Sequence, residues 1–198
     1  MTLKTTVKVG NITNLSDARY CAGMGVDMLG FKIGEGIGQV NLVKFKEITD
    51  WISGPEFVNE LPEKISEDSE KHGIKLIEFP ASEISSLNSL MSDHNFIIRI
   101  ELSEWEKYKE ELQKHKDLIK YLLVTNSNGW NEMQSKSIVV DMAIEFAVLL
   151  GLEMKVGLLE NYLTWPIAGL ALNGSEETSP GIKDYDQLSL VLEKLELD

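Results

Sequence analysis

The chain has 198 residues, of which 43% are hydrophobic, and it carries 19 basic against 32 acidic side chains for a net charge of −13. That acidity argues against nucleic acid and anionic membrane as partners, because binding either depends on neutralising phosphates. A single cysteine, Cys21, leaves no intramolecular disulfide, which fits a reducing, cytoplasmic setting. Met1 to Val9 has lysines and no apolar run of the signal-peptide kind, and no segment approaches the ~18 apolar residues of a membrane span. One domain over residues 1–198 is expected, as a monomer or a homodimer.

Along the chain, short apolar β-branched runs alternate with helical stretches. Thr5 to Val9 reads as a strand and Leu15 to Gly23 as a helix capped by Asn14 or Ser16. Met28 to Ile33 is strand-like, and Leu42 to Ile52 sets Leu42, Val43, Phe45, Ile48, Trp51 and Ile52 on one helical face. Glu56 to Asn59 is a weak strand, followed by a polar helix from Pro62 to His72. Ile74 to Phe79 and Glu83 to Met91 repeat the alternation, as do Phe96 to Leu102 and Glu104 to His115. Tyr121 to Thr125 is the next strand, then a long helix ending at Gly151, in which Met142 to Leu152 reads as buried. Met154 to Leu159 is predicted as strand seven, with a short helix around Asn161 to Trp165. Gly169 to Asn173 is the last strand, and Tyr185 to Leu195 the last helix, with Asp184 and Gln187 in capping-box spacing.

Eight strand-like runs alternating with helices predict an α/β protein, a single (β/α)8 TIM barrel, with an open doubly wound sheet as the alternative. At about 25 residues per unit, against the ~250 residues typical of the whole fold, no room is left for insertions. Barrel chemistry sits in the loops after the strands. Candidate positions are therefore Gly10 to Thr13, Gly34 to Gln39, Asn59 to Pro62, Pro80 and Ala81, Ser103, Thr125 to Asn128, Leu158 to Asn161 and Asn173 to Glu177. Gly34, Gly36 and Gly38 lack phosphate-loop spacing and read as a mobile loop. Asn173, Gly174 and Ser175 follow the last strand, where barrels often bind phosphate through backbone N–H groups.

The residues at these positions resemble a known family. Lys8-Val9-Gly10-Asn11-Ile12-Thr13, followed by Asp17-Ala18, is similar to the opening K-[IV]-C-G-[IL]-T-x-x-x-D-A pattern of phosphoribosylanthranilate isomerase. Met24 to Phe31 is similar to its A-G-A-D-x-x-G-F, and Phe57-Val58-Asn59 to its strand-three F-V-N. Gly169 to Asp184 follows its closing block, retaining Glu177, Pro180, Gly181, Lys183 and Asp184. The resemblance implies a small (β/α)8 aldose–ketose isomerase of tryptophan biosynthesis. Such an enzyme performs an Amadori rearrangement of an aminoaldose phosphate with no cofactor and no metal.

The departures fall on the chemistry. The rearrangement needs a general base and a general acid. The family's base is the cysteine of the opening motif, and that position here is Gly10. Its acid is the aspartate of a strand-six Y-L-L-L-D, where this chain has Tyr121-Leu122-Leu123-Val124-Thr125. The arginine after strand two has no counterpart in Ile33 to Val40, and the aspartate of the last strand is Ala171. Lys8, Arg99, Gly157, Leu158, Asn173, Gly174 and Ser175 are the candidate binding residues for a small phosphorylated metabolite. Lys8 and Arg99 otherwise pair with neighbouring acids such as Glu101. Glu78, at the family's strand-four glutamine, is either a replacement acid/base or a paired carboxylate, with Asn11, Glu35 and Glu160 as further candidates. Cys21 reads as a buried small apolar residue, the three histidines as helix-terminal, and the four tryptophans as packing residues. The expectation is an isomerase-like barrel with weak or lost isomerase activity. The alternatives are a non-catalytic barrel binding a phosphorylated ligand, and an interaction or regulatory scaffold.

Overall fold

A computed structural model describes residues 2–61, 74–89, 95–127, 129, 131–152, 156–174, 177–179, 182–183 and 186–197. Eight parallel strands close into a barrel in sequence order: β1 (Thr6–Gly10), β2 (Met28–Phe31), β3 (Glu56–Glu60), β4 (Leu76–Pro80), β5 (Asn95–Glu101), β6 (Ile119–Thr125), β7 (Val148–Leu150) and β8 (Gly169–Asn173). Ring closure is the β1–β8 pairing, from Thr6 opposite Gly169 to Gly10 opposite Asn173. The predicted barrel is therefore the observed one, and the open-sheet alternative is excluded.

Helices α1 (Leu15–Gly23), α2 (Leu42–Thr49), α3 (Trp105–Lys114), α4 (Glu132–Ala143), α5 (Leu159–Tyr162) and α6 (Asp186–Leu195) surround the barrel. Their starts follow local capping chemistry. Asn14, Asn41 and Asn131 each accept a backbone N–H three residues on, and Gln134 returns the bond at Asn131 to complete a capping box. The outward faces of the strands bury Val7, Val9, Leu29, Phe31, Ile98, Ile100, Leu122 and Val124 under these helices. Inside the ring, Met28, Val58, Leu76, Ile97, Leu123 and Leu149 form a separate apolar floor. Two residues further along each of these strands the same inward face carries Gly30, Glu60, Glu78, Arg99, Thr125 and Gly151. The alternation that seals the floor thus turns polar or side-chain-free at the mouth. No helix among the described residues is long and apolar enough to cross a membrane.

Four expectations need correction. The predicted strand Met154–Leu159 is not strand seven: Val156–Leu158 is a 3-10 turn leading into α5, and β7 is Val148–Leu150, inside the run assigned to the long helix. That helix ends at Ala143, and a short apolar run buried on both faces has no periodicity to separate strand from helix. Gly157 and Leu158, expected at the tip of strand seven, therefore lie in the turn, and Gly151 holds the tip. Strand three runs one residue longer than expected, through Glu60, with consequences at the site. Ala81–Ser89 winds as 3-10 helix, consistent with a segment rich in serine, whose hydroxyls compete for backbone partners. Of the face predicted for Leu42 to Ile52 only Phe45 and Ile48 are buried; Val43 and, beyond the end of α2, Trp51 are 70% exposed, and Arg19 stacks over the Trp51 ring. The predicted helix from Pro62 to His72 lies outside the described residues, as do His94, Trp130 and Ser175. Cys21 is fully buried on α1, as expected.

Candidate functional site

The C-terminal mouth of the barrel is built around Lys8. Its side chain starts level with Met28 and Ala171 on the neighbouring strands, near the apolar floor. It is 1% exposed, so its ammonium must find partners inside the protein. It finds two: Glu60 from β3, in a short ion pair, and Glu78 from β4, at 2.9 Å. Glu78 is fully buried, and its other oxygen lies 2.5 Å from Arg99 Nη2 on β5. The second oxygen of Glu60 accepts the backbone N–H of Asn11 at 2.9 Å. Lys8, Glu60, Glu78 and Arg99 thus form one charge-balanced chain crossing the ring from β1 to β5. The sequence placed Lys8 and Arg99 apart; the structure links them through Glu78, which is paired rather than solvated.

Two glycines make room for this arrangement. A Cβ at Gly10 would overlap a Glu60 carboxylate oxygen and stand 3.1 Å from Asn173 Oδ1. A Cβ at Gly30 would overlap the same carboxylate and stand 2.9 Å from Glu60 Cγ. The Glu60 side chain therefore lies across the bare backbones of β1 and β2. Asn11, immediately after Gly10, takes φ 59°, and Leu61, after Glu60, takes φ 48°. Both strand ends flanking the carboxylate hold left-handed backbone without glycine, a conformation that costs about 1 kcal/mol or more at each.

Lys8 and Glu60 hold each other in their charged forms. Burial alone would lower the Lys8 pKa, but Glu78 and Glu60 outweigh it and hold the ammonium above its ordinary range. Burial alone would raise Glu60, yet the charge and hydrogen bond of Lys8, the Asn11 N–H and the charge of Arg99 hold its carboxyl below the usual glutamate range. At the tip of β5, Glu101 accepts the Thr125 hydroxyl at 2.6 Å and the Ser127 N–H at 2.8 Å. Partial burial opposes its ionisation, but those bonds and Arg99 outweigh it, and its pKa is also lowered. Glu60 and Glu101 are thus carboxylates, not proton donors, at neutral pH.

The remaining candidates fall elsewhere. The Gly174 N–H donates to the Gly10 carbonyl at 2.9 Å, tying β8 to β1 rather than pointing at a ligand. The glycine loop after β2 folds around Gln39, whose side-chain oxygen accepts the Gly36 N–H at 2.8 Å. Its turn is closed by its own glutamine. Glu160 is exposed on α5 and pairs with Lys194, while Glu35 is exposed in the glycine loop. His115 caps the end of α3 with Nδ1 2.9 Å from the Glu111 carbonyl. No group of three or more metal-ligating side chains occurs among the described residues. Beside the tips of β7 and β8 lies a cavity of about 350 Å³, lined in part by Gly151, Leu152, Ala171, Asn173, Gln187 and Leu188.

No family model and no curated protein matches the chain. Solved structures do. Phosphoribosylanthranilate isomerase from Thermus thermophilus superposes with a TM-score of 0.70 at 18% identity, covering 96% of this chain and 98% of that one. The Thermotoga maritima enzyme, described as mutually generated monomers of a dimeric phosphoribosylanthranilate isomerase, gives 0.73 at 15% identity over the same shares. The chain has the fold of the phosphoribosylanthranilate isomerases. A DAHP synthase from Thermotoga maritima also superposes, at 0.60 and 13% identity, covering 68% of its chain, so the fold does not by itself fix the chemistry.

The positions that the resemblance to phosphoribosylanthranilate isomerase assigns to base and acid can now be described. Above Gly10 there is no open space for a reacting group, since Glu60 fills it. Thr125 is tied to Glu101 and contributes a hydroxyl, not a carboxyl. Glu60 lay within the Asn59 to Pro62 segment that the sequence singled out, but its partnership with Lys8 was not anticipated. The available signal was a glutamate continuing the inward alternation of β3 after Val58, opposite two glycines and a lysine.

Proposed function

We propose that this chain is a divergent phosphoribosylanthranilate isomerase-like barrel that has lost isomerase activity and keeps its mouth as a binding site for a small metabolite. The observation that carries the reading is the Glu60 carboxylate lying in the space a side chain at Gly10 would fill, fixed there by Lys8 and the Asn11 N–H. A general base must come within hydrogen-bond reach of the proton it removes. Glu60 is 2% exposed, its lone pairs are engaged, and its lowered pKa makes it a weak base. Glu101, on the acid side, is ionised. Rearrangement of an aminoaldose phosphate therefore lacks both proton-transfer partners among the described residues.

The cavity beside β7 and β8 supports retention of a ligand, since barrels commonly bind small molecules at this face. Purified protein assayed with phosphoribosylanthranilate is expected to show no turnover above the uncatalysed reaction. It is likewise not expected to complement a strain lacking that step. Enzyme-dependent turnover would overturn this reading.

A further inference from the structure

The sequence has two arginines, Arg19 and Arg99, and β5 brings the second to the mouth of the barrel. Arg99 Nη2 meets Glu78 at 2.5 Å, yet the side chain is still 32% exposed. Its Nε is buried without a hydrogen-bond partner among the described residues. Lys8, the other cation of the charged chain, is 1% exposed and enclosed by Glu60 and Glu78. A ligand entering the mouth therefore reaches one cation of that chain, and it is Arg99. A guanidinium presents a planar fork of N–H donors that suits the oxygens of a carboxylate or a phosphate.

The acid best placed to close this fork is turned away from it. Glu101 stands two residues on along the same inward face of β5, about 6–7 Å from Arg99. It is the partner that the sequence suggests for Arg99, but its oxygens are committed to β6. One accepts the Thr125 hydroxyl at 2.6 Å and the other the Ser127 N–H at 2.8 Å. Arg99 keeps Glu78 as its described ion-pair partner, and Glu78 also serves Lys8. Thr125 is thus a positioning residue, holding a competing carboxylate off the exposed guanidinium. With Lys8 and Arg99 balancing Glu60 and Glu78, the chain itself carries no net charge to repel an anion. Glu101 supplies what repulsion there is.

We infer that Arg99 receives the anionic end of a small ligand, a carboxylate or a phosphate ester, with Glu78 fixing the guanidinium and Thr125 keeping Glu101 from occupying it. This places the anion on β5 and not on the backbone after β8, where the Gly174 N–H is already bonded to Gly10. The inference rests on the proposed ligand site at the mouth and names the chemistry of its ligand.

Benzoate and phenyl phosphate are the probes, with benzamide as an uncharged control of similar shape. In full-length protein labelled at arginine, NMR gives two guanidinium signals, and Arg19, stacked over Trp51, is the internal reference. Benzoate or phenyl phosphate is expected to shift the Arg99 signal and leave Arg19 in place. Benzamide should act at least about tenfold more weakly. Whichever anion binds more tightly identifies the group that the site takes. Calorimetry then compares variants. Arg99→Met should weaken the preferred anion at least about tenfold, whereas Glu101→Gln should strengthen it about threefold. Thr125→Val should weaken it, and should no longer do so when combined with Glu101→Gln. An Arg99 signal that responds equally to benzamide, or to none of the three probes, overturns the inference. So does anion binding that survives Arg99→Met, a result that leaves the mouth a ligand site by another route. If Arg99→Met does not fold, unchanged anion affinity in both Glu101→Gln and Thr125→Val overturns it instead. Isomerase turnover, by contrast, would sink the proposed loss of activity and leave the Arg99 result standing.

Discussion

Replacing Lys8 by methionine is expected to destabilise the protein by about 3–5 kcal/mol, the range for removing one partner of a buried ion pair. The reason is topological. Lys8 is the cation that two buried carboxylates share, and among the described residues the ion-pair partner of Arg99 is Glu78. Without the ammonium, Glu60 keeps the Asn11 N–H as its described fixed donor, in a site that excludes water. Urea unfolding measures the loss. With m of about 2 kcal/mol/M, the midpoint should fall by about 1.5–2.5 M. Adding Glu60→Gln and Glu78→Gln to Lys8→Met should recover much of it, because buried ion networks often exchange for neutral groups at little cost. A midpoint shift below about 0.5 M for Lys8→Met alone would show that the chain of charges does not hold the mouth together.

The second large effect concerns attempts to restore chemistry. Gly10→Cys with Thr125→Asp supplies the residue types that the family resemblance calls for, yet we expect no isomerase activity from this pair. A side chain at Gly10 overlaps the Glu60 carboxylate, so the variant must displace Glu60, break its pair with Lys8, and lose about 1–3 kcal/mol to overpacking. Adding Glu60→Gly vacates the space and leaves Lys8 paired with Glu78. If the mouth still accepts the sugar phosphate, the triple variant should then exceed the double variant by about 10²–10⁴-fold, the usual worth of a positioned general base. Single-turnover assays of the double and triple variants give the comparison. Activity in the double variant equal to that of the triple would refute the obstruction by Glu60.

How much of this was legible in the sequence follows from the physics of each element. Strands one and eight carried local signals, alternation and a motif, and β8 falls on the predicted residues Gly169–Asn173. Strand seven was hidden because Val148, Leu149 and Leu150 are buried on both faces, so the run has no period. Lys8 and Glu78 were recognisable as titratable groups at strand ends, but their partnership depends on a three-dimensional register across β1, β3 and β4. The role of Glu60, inside the candidate segment Asn59 to Pro62, was hidden for a related reason. A glutamate after Phe57-Val58-Asn59 reads as the first residue of a loop, and only the closed ring shows it lying over Gly10 and Gly30. Gly10 read as lost chemistry and Gly30 as one residue of a strand, whereas both leave room for the Glu60 side chain. The closing block illustrates the reverse case: Gly174 was expected to offer its N–H to a ligand, and a backbone partner on β1 had already taken it.

A carboxyl-carbon NMR titration of Glu60, in protein labelled at glutamate, tests the buried pairing most directly. Burial opposes ionisation of Glu60, and Lys8, the Asn11 N–H and Arg99 override it, so the carboxyl should stay ionised below the usual glutamate range. A folded-state pKa held below the unfolded value of ~4.3 contributes stability above that pH, and this is lost as pH falls through the folded value. Lys8 acts at the other end, its contribution present below ~10.4 and lost as pH rises past its raised folded value. We predict a depressed Glu60 titration that coincides with acid unfolding. A Glu60 carboxyl titrating at or above the ordinary glutamate range in folded protein would contradict the account.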